Sequence, residues 1–112
     1  ANIEDLTHRH PDIAKAAAFG VPDERLGEKV CLAVICHKDT VLSPDLVLDH
    51  LHEAGLSKYD MPEFFIQMPA FPLTASGKIL KRELREMVVR KEIEPQSVRF
   101  KANNQSYIKE KV

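Results

Sequence analysis

Five histidines and two cysteines are the first residues to test for chemistry. Four of the histidines come as His8-x-His10 and His50-x-His52. On a helix, positions i and i+2 point about 200° apart, so neither pair can grip one metal ion. The i,i+4 spacing of a helical zinc site is absent, and so is any cysteine cluster. Solvated helical histidines are expected, and no metal site is assigned. Cys31 and Cys36 share a strand-like run, residues 29–37. Their separation puts them on opposite faces of a period-2 element, so they cannot bridge each other. Buried free thiols in a reducing compartment are expected instead. The chain also lacks G-x-S-x-G, G-x-G-x-x-G and P-loop sequences.

What remains is Pro69-Ala70-Phe71-Pro72-Leu73-Thr74-Ala75-Ser76-Gly77-Lys78. Two prolines stiffen the approach, and Thr74, Ser76 and Gly77 make a tight polar turn. The turn presents Lys78 just ahead of a basic segment bearing Lys81, Arg82 and Arg85. Glycine beside the lysine lets backbone come close to a ligand. A lysine held there is a compact point charge suited to phosphate or carboxylate oxygens. An ordinary hairpin turn with an exposed lysine explains the same composition.

The elements that must position this turn follow from pattern. Residues 3–10 form a short helix, acidic early and basic late, stopped by Pro11. Residues 13–21 are expected as a strand, 22–27 as a turn, and 29–37 as a strand apolar on both faces. A link this short makes the two strands an antiparallel hairpin. Within the second strand, Val30, Leu32 and Val34 are expected on one buried face, with Cys31, Ala33 and Ile35 on the other. Ser43-Pro44-Asp45 starts a helix whose stripe is Val47, Leu51 and Ala54, and Gly55 ends it. Residues 64–68, between Pro62 and Pro69, are a further strand. A last helix, 80–91, should bury Leu80, Leu84, Met87 and Val88. The fold class is α+β: a small mixed or antiparallel sheet of about three strands, flanked by helices, with a glycine-turn hairpin near Lys78. Residues 93–112 read as a loose polar tail, with Phe100, Tyr107 and Ile108 able to dock.

At 112 residues, 44% hydrophobic and 29% charged, the chain is one folded domain rather than a disordered or low-complexity segment. No apolar run approaches the roughly 20 residues of a membrane helix, and no signal peptide opens the chain. A soluble, cytoplasmic protein is expected. The net charge of −1 hides an asymmetry: −6 over residues 1–70 and +5 over residues 71–112. Anion handling therefore belongs to the last third.

The segment Pro72-Leu73-Thr74-Ala75-Ser76-Gly77-Lys78-Ile79-Leu80-Lys81-Arg82-Glu83-Leu84-Arg85 resembles the final core motif of the adenylate-forming enzymes. These comprise acyl- and aryl-CoA synthetases, adenylation domains of nonribosomal peptide synthetases, and firefly luciferase. Upstream, His10-Pro11-Asp12-Ile13 through Ala18-Phe19-Gly20-Val21-Pro22-Asp23 is similar to that family's "HP-x-V…A-V-x-G-x-P-D". Gly27-Glu28 matches its "GE", and Lys58-Tyr59-Asp60-Met61-Pro62 its "YKxP", with Asp60 in place of the usual lysine. The stretch 51–59 is similar to the "L-x-x-x-G-L-A-x-Y" of aryl and alicyclic acid ligases, which points to a ring carboxylate.

The resemblance covers residues 3–92 and only the small C-terminal domain of the family. It implies that residues 1–92 are that mobile domain, followed by the tail 93–112, and that a large N-terminal domain is missing as a partner. It implies an enzyme: an ATP-dependent ligase that makes acyl-AMP from a carboxylic acid, then transfers the acyl group to coenzyme A. ATP/AMP, magnesium and coenzyme A would serve the full-length enzyme, and none would be bound by this domain alone. Lys78 would be the lysine of the adenylating step, with Thr74, Ser76 and Gly77 its substrate-adjacent turn. One alternative is the same chemistry serving a carrier-protein thiol. Another is a free-standing module whose basic last third binds nucleic acid or another polyanion. Its basic stretch, residues 78–91, lacks an aromatic residue for stacking, so no nucleic-acid partner is expected.

Overall fold

The computed structural model describes residues 2–25 and 27–101. The chain runs α1 (Ile3–His8), β1 (Ile13–Asp23), β2 (Gly27–Cys36), α2 (Pro44–Glu53), β3 (Phe64–Gln67), α3 (Lys81–Val89) and β4 (Gln96–Ser97), with a 3-10 turn at Lys58–Asp60. The strands form one sheet in the order β1-β2-β3-β4. β1 pairs antiparallel with β2, as the short link requires. Both strands run further into the link than expected, with Asp23 opposite Gly27. β2 pairs parallel with β3, and α2 lies within the crossover between them. The sheet is thus mixed.

β4 is the element the sequence reading did not anticipate. Gln96 and Ser97 pair antiparallel with β3, so the first part of the expected loose tail extends the sheet. A two-residue strand has too few side chains to show a period, so pattern alone cannot reveal it. Phe100 packs, partly buried, against the core under α1 and α2. Tyr107 and Ile108 lie outside the described residues.

Helix ends follow local chemistry. The Asn2 side chain caps α1, its Oδ1 accepting from the Glu4 amide at 2.7 Å. Ser43 and Pro44 start α2 as expected, although the Ser43 hydroxyl makes no cap hydrogen bond. α2 ends when Gly55 turns left-handed at φ +103°. The Leu56 amide then donates to the Leu51 carbonyl (3.0 Å) and the Gly55 amide to the His52 carbonyl (3.0 Å), the Schellman pattern. α3 ends the same way without a glycine: Lys91 takes φ +61°, and the Glu92 amide donates to the Met87 carbonyl.

The sheet separates two cores. One face carries Leu32, Val34 and Phe65 against Leu6 of α1 and Val47, Leu48 and Leu51 of α2. The other carries Ala17, Phe19, Val21, Cys31 and Ala33 against Phe71 and Leu84 of α3. β2 is therefore central and apolar on both sides. Two expected core residues are corrected. Val30 is exposed because it precedes the stretch of β2 that the helices cover. Leu80 is exposed because it is the N-cap of α3 rather than part of its buried stripe.

Cys31 and Cys36 are free and face opposite cores. Burial pushes the Cys31 thiol up from 9.0 to about 12. Burial and the nearby Asp12 carboxylate also raise that of Cys36. The folded state thus holds the Cys31 proton where the unfolded chain releases it. Stability is expected to fall as pH rises from about 9 towards 12. In a native thiol titration at pH 8, Cys31 is expected to stay unmodified, and denaturant should expose both thiols.

Candidate functional site

The segment between Phe71 and α3 is a hairpin of its own. Leu73 and Ile79 form an antiparallel bridge, and the Leu80 amide donates to the Pro72 carbonyl at 2.9 Å. At the tip, the Thr74 amide donates to the Lys78 carbonyl (2.7 Å) and the Gly77 amide to the Thr74 carbonyl (2.9 Å). The Thr74 hydroxyl accepts from the Lys78 amide (3.0 Å) and lies 3.0 Å from the Ser76 hydroxyl. Gly77 adopts φ +90°, which closes the turn. A Cβ added there would meet nothing within 4 Å, so the requirement for glycine is conformational rather than steric.

The turn residues picked out from sequence are thus brought together, with Thr74 as organiser. Lys78 is exposed at the tip, between the exposed side chains of Leu73 and Leu80. Among the described residues, no hydrogen bond or ion pair engages its ammonium. Its basic neighbours differ. Lys81 pairs with Glu4 (2.6 Å), Arg85 with Glu28 (2.7 Å), and Arg90 with both Glu83 and Glu92. Much of the basic character seen in sequence is spent internally, which weakens a polyanion-binding surface.

The expectation of solvated histidines is corrected for two of them. His8 and His52 are exposed, but His10 and His50 are half-buried and meet edge to face, ring centroids 5.0 Å apart. The His50 Nε2–H donates to the Leu6 carbonyl (2.8 Å), while His10 Nδ1 accepts from the Asp12 amide (3.1 Å). These contacts tie α1 to α2. Among the described residues, no group of three or more His, Cys, Asp or Glu could hold a metal ion.

A second concavity was not legible in sequence. An open cleft of about 780 Å³ is walled by Lys58, Tyr59, Met61 and Glu63 on one side and by Val98–Lys101 on the other. Tyr59 is 85% exposed, an unusual position for a tyrosine ring. Residues 58–62 carry a family match in the sequence, and apart from Phe100 nothing in residues 98–101 signals that they fold back against that segment.

The comparisons with known proteins agree with the resemblance. Residues 2–78 match the family model described as "AMP-binding enzyme C-terminal domain". Pseudomonine synthase PmsE of Pseudomonas entomophila is 41% identical over 77% of this chain. The mitochondrial medium-chain acyl-CoA ligase ACSF2 of Rattus norvegicus is 34% identical over 79% of it. The Mycobacterium tuberculosis fatty acyl CoA synthetase structure superposes on 80% of the chain at a TM-score of 0.71 and 30% identity. The chain spans only 14% of each of these two curated relatives and 17% of that structure. The chain belongs to the AMP-binding enzyme C-terminal domain family, the small domain of the adenylate-forming enzymes. Among the described residues, no helix is long and apolar enough to cross a membrane.

Proposed function

We propose that this chain is the C-terminal domain of an acid–thiol ligase and that Lys78 serves its adenylating half-reaction. In that step a carboxylate oxygen attacks the α-phosphorus of ATP, and the bond to the β-phosphate breaks. Acyl-AMP and pyrophosphate result. In the second step the sulfur of coenzyme A attacks the acyl carbon, and AMP leaves. The carrying observation is the Lys78 ammonium, exposed and unengaged among the described residues, on a turn that hydrogen bonds hold rigid.

Physics supports the assignment. Two anions, carboxylate and triphosphate, must meet, and negative charge shifts as the α-phosphorus is attacked. A fixed ammonium near both lowers that barrier without reorganising at the moment of reaction. Magnesium would sit with the triphosphate in the missing domain, and no metal site is assigned to this chain. The apolar flanks Leu73 and Leu80 suit a turn that docks against another domain carrying the nucleotide and acyl pockets.

Acid-dependent ATP–pyrophosphate exchange by the complete enzyme tests the reading, with aryl, alicyclic and fatty acids compared. The isolated chain is expected to show none. Exchange by the isolated chain would overturn the division of labour, and its absence from the complete enzyme with every acid would overturn the function. Thioester formation with coenzyme A against a carrier-protein thiol then separates the two acceptors. The ring-acid similarity of residues 51–59 favours an aryl or alicyclic substrate.

A further inference from the structure

Among the described residues, the hairpin bearing Lys78 makes no ladder with the main sheet, and its one bridge is internal, Leu73 to Ile79. Its position is inherited from Phe71 on one side and from α3 on the other. α3 buries only Leu84 fully, with Met87 and Val88 partly covered. With one fully buried leucine, the packing of α3 leaves its orientation to further contacts, and Lys78 lies just ahead of its N-terminus.

Two ion pairs supply further fixed points, and both lie along the free edge of β1. The order β1-β2-β3-β4 leaves β1 outermost, with unpaired backbone groups facing outward. Glu4 on α1 accepts from the edge amide of Ala18 (2.7 Å) and pairs with Lys81 of α3 (2.6 Å). Because α1 and α3 pack on opposite faces, this pair wraps the edge. Two residues along, Arg85 of α3 donates to the edge carbonyl of Gly20 (2.9 Å) and to Glu28 of β2 (2.7 Å). Gly20 makes that contact possible. A Cβ on Gly20 would lie 2.4 Å from the Glu28 carboxylate, so only glycine lets Glu28 cross the strand to reach Arg85. Pairs this exposed add little to stability, so what they provide is orientation.

We infer that Glu4–Lys81 and Glu28–Arg85, the latter admitted by Gly20, form a two-point latch around the edge of β1 that orients α3 and hence Lys78. Arg85, Glu28 and Gly20 are positioning residues of the adenylating step. The inference rests on the assignment of Lys78 to that step. The latch reaches the adenylating centre through Lys78, so a step that does not use Lys78 is expected not to feel it.

The test uses the complete enzyme with Arg85→Ala, Gly20→Ala and the double variant, alongside Lys78→Ala. Each is assayed for acyl-adenylate formation from ATP and for thioester formation from supplied acyl-adenylate. A misplacement of about 1 Å costs up to about a hundredfold in rate, so adenylation is expected to fall roughly ten- to a hundredfold in either single variant. Thioester formation should hold within about twofold. The double variant should be no worse than the poorer single, because both break one contact. Should Arg85→Ala not fold, Gly20→Ala carries the test, since it displaces only the far end of a flexible side chain. Parallel loss of both half-reactions, loss of neither, or additive effects in the double variant overturns the latch. If Lys78→Ala divides the half-reactions while Arg85→Ala and Gly20→Ala do not, the latch alone fails. If Lys78→Ala does not divide them, the role of Lys78 fails and the latch falls with it.

Discussion

Lys78→Ala in the complete enzyme is expected to slow acyl-adenylate formation by on the order of 10²–10³ or more, the loss seen on removing one preorganised charge-stabilising donor. Thioester formation from supplied acyl-adenylate should remain near normal. The expected split follows from the resemblance to the adenylate-forming enzymes, which implies that a domain rotation after adenylation carries the hairpin tip from the reacting centre. The fold should hardly notice, changing by less than about 0.5 kcal/mol, because the side chain is exposed and packs against little. Lys81→Ala removes a latch point, its pair with Glu4, rather than a charge at the reacting centre, so its loss is expected to stay within the roughly ten- to hundredfold of the latch variants. The measurement compares the mutant's overall rate from ATP with its rate from pre-made acyl-adenylate and coenzyme A. Equal losses in a folded protein would make Lys78 a residue of both steps.

The second large effect is on stability. Leu32 is fully buried at the centre of β2, between Ala18 of β1 and Phe65 of β3, beneath α1 and α2. Leu32→Ala removes its packing and leaves a cavity that a central strand cannot relax to fill. The expected cost is about 2–5 kcal/mol, a large share of the roughly 5–15 kcal/mol that holds a domain folded. Val30→Ala, two residues earlier on the same face but exposed, should cost less than about 0.5 kcal/mol. Denaturant unfolding of both variants checks the pair. A shared midpoint shift would mean that Val30 and Leu32 are equally covered.

The legibility of the fold varied with how much each element owes to its own residues. β2 was readable because a strand covered on both faces must be apolar on both, and residues 30–35 are. The hairpin with β1 followed from a link too short for a crossover, and α2 from Ser43-Pro44 and Gly55, which act on their own backbone. The Lys78 turn belongs to the same class. Thr74, Ser76 and Gly77 lie within four residues of Lys78, so the hydrogen bonds that shape the tip are nearly all local.

What only the tertiary structure decided involves partners distant in the chain. β4 exists because Gln96 and Ser97 meet β3, some thirty residues earlier, and carry no pattern themselves. Leu80 looked like core by its type, but its place at the mouth of α3 leaves it outside. The His10–His50 contact, the Tyr59 cleft and the Gly20–Glu28–Arg85 latch each join segments separated by eight to sixty-five residues. Local sequence encodes backbone preference and apolar period, which act over a few residues. Which charged side chain meets which depends on where the sheet carries them, and only the folded chain sets that.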